Sequence, residues 1–148
     1  MSCKSAIYVA NTSPVTINLT AQQPTATLPL GTTVRRFGRA NCENILELSG
    51  NGILARDSGY YDVDASAVLT PAAAGIYTVA LYQDGQPVQG ASQSITATAG
   101  ATIVLNIPAI VRTRCDCGAS ALTLVVSTTA TLPAEIVVNN VGIVVEKI

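Results

Sequence analysis

The sequence of 148 residues contains no histidine and no tryptophan. Without histidine the chain cannot build a Ser-His-Asp or Cys-His system, and it lacks the commonest general base and the usual ligand of catalytic zinc. One carboxylate pair remains, because Asp62 and Asp64 project from the same side of a predicted strand, roughly 6–7 Å apart. Glycosidases use such pairs in deep clefts lined by aromatic rings, and there is no tryptophan here to stack a sugar. We interpret both aspartates as a solvated polar face and predict that the protein is not an enzyme and uses no cofactor.

Charge is also scarce, since charged residues make up 11% of the chain and the net charge is −1. Nucleic acids and anionic membranes require a basic stripe, so we expect neither as a partner. No apolar run approaches the roughly 18 residues that cross a membrane. Apolar residues nevertheless make up 49% of the sequence and aromatic residues only 4%. A small domain of this composition has few polar groups with which to cover its surface, which predicts packing against copies of itself.

The N-terminal sequence Met1-Ser2-Cys3-Lys4 leads directly into strand-like residues. A signal peptide would show an apolar core and a small-residue cleavage site, and neither is visible. We therefore expect synthesis in the cytoplasm of a host cell and release by lysis or on a particle, rather than by secretion.

Four cysteines, Cys3, Cys42, Cys115 and Cys117, leave three interpretations open. In a reducing compartment all four would remain free thiols. A disulfide that involves Cys42, or one that joins two subunits, is the second interpretation. The third is a metal site made from Cys42, Cys115 and Cys117. Cys115 and Cys117 are too close for an unstrained bridge to each other, and they lack the two-residue gap of a zinc knuckle.

Hydrophobic alternation with a period of two recurs along the chain, and no segment keeps a helical period over three turns. In the segment 60–69 the odd-numbered residues are apolar, which predicts a half-buried strand. The segment 76–83 forms a second strand that ends at the turn signal Asp84-Gly85. Ala99-Gly100 predicts a hairpin between 93–98 and 102–107. The other predicted extended segments are 5–10, 15–21, 25–37, 45–48, 52–55, 109–114, 121–127 and 136–147.

The run Gly59-Tyr60-Tyr61, followed by the strand that ends at Asp84-Gly85, resembles the central hairpin of the C1q/TNF-like jelly roll. The closing run 140–145 is similar to the last strand of that family, and the resemblance spans about Ile53 to the C terminus. It implies an all-β fold, a two-sheet antiparallel jelly-roll sandwich that assembles as a homotrimer. An immunoglobulin-like sandwich is disfavoured because tryptophan and a suitably spaced cysteine pair are absent. We expect one domain over 1–148, with N-terminal strands and an extended segment in 1–44 and the sandwich core in 45–148.

The closing strand is apolar on both faces, which predicts a central strand covered by the core on one side and by a neighbouring subunit on the other. The residues assigned to the trimer interface or core are Val138, Val141, Ile143, Val144, Val145, Tyr61 and Val63. Candidate ligand contacts are Tyr60, Tyr82, Arg35, Arg36 and Arg39, although the arginines also suit solvated loops or salt bridges between subunits. Some members of the family hold calcium with loop carboxylates, for which Asp62, Asp64 and Asp84 would be the candidates. Calcium usually draws its oxygen ligands from several loops, so no metal site is predicted.

Three functions are compatible with these features. The first is a non-catalytic homotrimer on the surface of a bacteriophage virion, as a capsid decoration, head-fibre or tail-tip protein. The second is a trimeric protein of a bacterial spore or cell surface, and the third is a glycan-binding or receptor-binding module. The first is preferred because the chain is a small self-sufficient domain without a visible leader. Its expected partners are its own copies and other proteins of the particle surface.

Overall fold

The structure is a computed structural model that describes residues 4–38, 45–114 and 119–148. Within these ranges the chain forms twelve β-strands and no helix. The strands are β1 (Ser5–Asn11), β2 (Val15–Leu19), β3 (Thr25–Thr27), β4 (Thr32–Gly38), β5 (Leu46–Ser49), β6 (Gly52–Ala55), β7 (Gly59–Pro71), β8 (Gly75–Gln83), β9 (Gln86–Ala97), β10 (Ile103–Thr113), β11 (Ser120–Thr128) and β12 (Ala134–Lys147).

The strands form two antiparallel sheets that pack face to face. Sheet I has the order β10-β7-β12-β1-β4, and β2 pairs with the first part of β12. Sheet II has the order β5-β6-β11-β8-β9, and β3 pairs with β11. The predicted two-sheet antiparallel jelly-roll sandwich is therefore confirmed.

Side-chain alternation along the long strands places the core between the sheets. In β7 the odd-numbered residues Tyr61, Val63 and Ala65 are at most 1% exposed, while Asp62 and Asp64 lie on the exposed side. This alternation is the one predicted from the sequence. The core is mainly aliphatic, and its two large aromatic side chains among the described residues are Tyr61 and Tyr77.

The turn predicted at Asp84-Gly85 is confirmed. Asp84 and Gly85 have φ angles of 52° and 80°, and Gln83 pairs with Gln86 across the two-residue turn. Positive φ at both central positions is typical of the type I′ turn that suits the twist of a hairpin. The carboxylate of Asp84 also accepts a 2.8 Å hydrogen bond from the amide of Ala121, which attaches the turn to β11.

Two predicted hairpins are wrong. The strands on either side of the loop 72–74 lie in different sheets, because β7 belongs to sheet I and β8 to sheet II. The strands on either side of Ala99-Gly100 are likewise separated, since β9 belongs to sheet II and β10 to sheet I. A turn signal shows that the chain reverses, but it does not identify the partner strand. Strand β7 pairs with β10 and β12 instead of with β8. The loop after β7 and the loop after β9 therefore each cross from one sheet to the other.

The N-terminal strands belong to the same core as the rest of the chain. Strand β1 lies between β12 and β4, and Ile7 and Val9 are at most 1% exposed. Leu19, Leu28 and Leu30 are fully buried in the same cluster. The boundary expected at residue 44 therefore does not mark the beginning of the sandwich core.

Candidate interaction surface

Exposed apolar side chains are concentrated on sheet I. Of the nine large apolar residues that are exposed among the described residues, eight lie in sheet I or directly after its last strand. These eight are Tyr8, Val34, Phe37, Tyr60, Val104, Ile110, Val144 and Ile148, whereas Ile76 lies in sheet II. The outer surface of one sheet is thus much more apolar than that of the other, which is typical of a protein interface.

Strand register arranges the outward residues of sheet I in rows that cross the five strands from β10 to β4. The first row, called the Asp64 row, consists of Pro108, Asp64, Val144, Tyr8 and Arg35. The second, called the Asp62 row, consists of Ile110, Asp62, Glu146, Ala6 and Phe37. Adjacent strands are about 4.8 Å apart, so each row extends about 19 Å across the sheet.

A cleft of about 470 Å³ lies at the β4 end of these rows. We call it the β1–β4 cleft, and its lining residues are Ala6, Ile7, Tyr8, Val34, Arg35, Arg36, Phe37 and Val144. Every residue of β4 before Gly38 is exposed, although side chains alternate between its two faces. The partner sheet therefore leaves this edge strand uncovered, and Phe37 remains 62% exposed.

Carboxylates occupy the other half of the same face. Asp62 lies directly opposite Glu146 across the β7–β12 ladder, and Asp64 follows one row away. Like charges directly opposite each other destabilise a sheet. Within the described ranges, none of these three carboxylates forms an ion pair. Sheet I consequently has a carboxylate-rich half at β7 and β12, while Arg35 lies on β4 at the other end.

One end of the sandwich is closed by a polar cluster. The ammonium of Lys147, whose side chain is 8% exposed, donates to the carboxylate of Asp57 at 2.5 Å. The hydroxyls of Tyr61 and Thr113 both donate to the backbone carbonyl of Asp57, at 2.7 and 2.5 Å. Burial, and secondarily the charge of Asp57, raises the pKa of Tyr61 above its ordinary value. This cluster attaches the loop before β7 to the end of β12, because the side chains of Lys147, Tyr61 and Thr113 all donate hydrogen bonds to Asp57.

The predicted interface residues divide between the core and the surface. Val138, Val141, Ile143 and Val145 of β12 are at most 1% exposed, as are Tyr61 and Val63 of β7. All six face the core of their own subunit. Val144 is 39% exposed on the outer side, so it alone of the seven is available to another molecule.

The predicted ligand contacts do not converge on one site. Tyr60 lies on β7, where the guanidinium of Arg112 stacks 5.6 Å from its ring centroid. Tyr82 is half-buried on β8 in sheet II, while Arg35 and Arg36 lie on β4. Arg39 is outside the described residues.

The residues considered for metals are also separated. Asp62 and Asp64 lie on sheet I, whereas Asp84 is in a turn of sheet II. The four cysteines, Cys3, Cys42, Cys115 and Cys117, lie outside the described residues. Among the residues that the structure does describe, no three carboxylate or thiol side chains gather as a metal site would require. The same residues include no helix with the length and hydropathy needed to cross a membrane.

The sequence patterns did not single out Tyr8, Phe37 and Ile110, which the structure shows to be exposed. Each is a single apolar residue at an outward position of a strand, and such residues are common on protein surfaces. Their significance appears only when the register brings them onto one face. A local signal existed at Phe37, the only phenylalanine, because it stands beside two arginines in a segment without alternation.

The two-sheet architecture is similar to that of C1q/TNF-like jelly-roll proteins of known structure. Murine APRIL at pH 5.0 is similar over 98% of this chain and 99% of its own, with a TM-score of 0.67 and 12% identity. The PRD1 vertex protein P5 is similar over 97% of this chain and 73% of its own, with a TM-score of 0.56 and 15% identity. The globular domain of zebrafish complement 1qA is similar over 94% of both chains, with a TM-score of 0.52 and 13% identity.

These similarities define the fold, and at such low identity they define nothing more. They also extend beyond the segment from Ile53 onward that carried the sequence resemblance, because the N-terminal strands are covered too. No protein-family model matches the sequence, and a search of curated proteins finds no match.

Proposed function

We propose that this protein is a non-catalytic homotrimer on the surface of a bacteriophage virion, as a capsid decoration, head-fibre or tail-tip protein. The observation that carries the proposal is the concentration of eight exposed apolar residues on sheet I. A monomer would leave this face in water, whereas a ring of copies would cover it. Closed symmetric rings are the common solution for homo-oligomers of one chain.

The virion location is supported by the likeness to the PRD1 vertex protein P5, a phage protein of the same fold that is similar over 97% of this chain. The composition agrees with a structural role, because the sequence has no histidine and 11% charged residues. A protein of this kind acts by its shape and by the surface that it presents on the particle, so it requires no reactive group.

The oligomeric state is tested by sedimentation equilibrium of the full chain at micromolar concentration. We expect three times the 15.2 kDa mass of one chain. A stable monomer at this concentration would contradict the proposal.

The location is tested separately by electron microscopy of particles from the source, labelled with antibodies against this chain. Label at regular positions on the particle would support the virion role, and unlabelled particles would oppose it. Neighbouring capsid and portal genes would agree with the proposal, whereas neighbouring sporulation genes would indicate the spore-surface alternative. Binding to a glycan array would indicate a recognition module.

A further inference from the structure

We propose that the β1–β4 cleft receives the β7–β10 end of a second copy of this chain, and that Arg35 of one copy faces Asp64 of the next. The inference rests on the proposed homotrimer and specifies which residues meet in it. A ring of three copies uses a heterologous interface, in which two different patches of each copy complement each other. Sheet I presents two such patches at opposite ends of a single face.

The first patch is the β1–β4 cleft, which combines apolar walls with a positive charge. Tyr8, Phe37 and Val144 contribute apolar surface, and Arg35 lies at its outer side. Its volume of about 470 Å³ can accept several side chains. Because β4 is exposed along its length, a partner can approach without displacing any other strand.

The second patch has the complementary character. Ile110 is 64% exposed on the edge strand β10 and forms an apolar projection at the opposite end of the face. Asp64 and Asp62 lie beside it on β7. An apolar projection next to carboxylates matches an apolar cleft next to an arginine.

The two patches of one subunit are too far apart to contact each other. Arg35 and Asp64 belong to the same row but are separated by three strand spacings, about 14 Å. An ion pair needs a nitrogen–oxygen separation of 4 Å or less. In the described part of the chain, neither side chain has an ion-pair partner.

The rows also predict which residues meet. When the threefold axis runs parallel to the strands, rotation from one copy to the next preserves the height of each row along the axis. The β4 end of the Asp64 row then faces the β10 end of the same row in the next copy. Arg35 meets Pro108 there, and its long side chain extends past Pro108 to Asp64, which lies one strand spacing (about 4.8 Å) further along the row. In the Asp62 row, Phe37 meets Ile110 in the same way. These two side chains are 62% and 64% exposed in one subunit.

Charge reversal tests this pairing in the full-length protein. Arg35→Glu and Asp64→Lys should each raise the concentration of half-dissociation about tenfold, since each places like charges in contact. The double variant R35E/D64K should return within about threefold of the wild type, because the pair is restored with its signs exchanged. Thr96→Glu, at an exposed position of β9 in sheet II, adds charge away from the patches and should change nothing. Circular dichroism confirms that each variant is folded.

Each outcome is informative. Rescue by the double variant supports the pairing. The pairing is overturned if both single variants dissociate more easily and the double variant does not restore the trimer. It is also overturned if Arg35→Glu leaves the concentration of half-dissociation unchanged. In both cases the proposed trimer itself stands. A monomeric wild type removes the trimer and the pairing together.

Discussion

Strand β12 allows the core and the outer face to be tested with the same substitution, because a register shift between Val138 and Asn140 puts Val138 and Val144 on opposite sides of the sheet. Val138 is 1% exposed in the core, whereas Val144 is 39% exposed on the outer face of sheet I. Val138→Asp loses about 1.5–3 kcal/mol of apolar burial. It also places a carboxyl group among aliphatic side chains, which costs several kcal/mol more. The sum is comparable to the whole stability of a domain, about 5–15 kcal/mol, so we expect unfolded or aggregated protein.

Val144→Asp should behave differently. The position is partly solvated in the subunit, and the new carboxylate stands opposite Asp64 across the ladder. Reduced strand propensity and like-charge repulsion together cost about 1–2 kcal/mol, which a folded subunit tolerates. In the proposed trimer the same carboxylate would be buried at an interface, so we expect a folded monomer. Val144→Thr keeps the branched shape without the charge and is the matched control, expected to remain trimeric.

Sedimentation velocity and far-ultraviolet circular dichroism measure the two properties separately. A trimeric Val144→Asp variant with the concentration dependence of the wild type would refute the assignment of this face to the interface. A Val138→Asp variant as stable as the wild type would refute the assignment of the core.

Asp57→Ala leaves the ammonium of Lys147 buried without its carboxylate, so it should cost about 1–3 kcal/mol in urea unfolding. Lys147→Met keeps the buried stem and should cost less, and the reverse order would contradict this account of the pair. Tyr61→Phe removes one donor to the Asp57 carbonyl and should cost about 1 kcal/mol. Because burial raises the pKa of Tyr61 above 10.0, its contribution is complete below pH 10 and is lost as the pH rises through the folded pKa. The wild type should therefore lose more stability above pH 10 than Tyr61→Phe does, and parallel pH curves would exclude this role. Asp84→Ala removes the acceptor for the amide of Ala121 and a side chain that tolerates positive φ, at a cost of about 1–2 kcal/mol by thermal unfolding. Asp84→Gly retains the conformational freedom and should cost less; an equal loss in the two variants would mean that the hydrogen bond alone accounts for the effect.

The sequence contained enough information for the fold class and for most strands, because both depend on local patterns. Alternation along 60–69 determined which residues of β7 face the core. Asp84-Gly85 marked the turn between β8 and β9 without ambiguity. Strand pairing depends on long-range contacts that a local pattern does not encode. Ala99-Gly100 reverses the chain as predicted, but it carries β10 to the sheet opposite β9.

The candidate surface was predictable only in part for the same reason. The apolar character of β12 on both faces identified Val144, yet the same argument included Val138 and Val145, which the structure places in the core. Phe37 and Ile110 lie far apart in sequence and at opposite ends of a row, so their relation requires the order of five strands. Composition alone correctly indicated an excess of apolar surface, and the structure locates that surface on sheet I.

The edge of sheet I at β10 indicates how copies can meet there. The amide of Asn106 donates to the side chain of Gln93 at 2.5 Å, and Pro108 has no amide hydrogen. The carbonyl of Arg112 accepts a 2.8 Å hydrogen bond from the side chain of Gln83. These groups point away from β7, so they would otherwise be available to pair with the strand of another molecule. Occupied or missing edge groups discourage open-ended sheet extension. At these three positions strand pairing with another copy is blocked, which favours contact through side chains over extension of the sheet into a fibre.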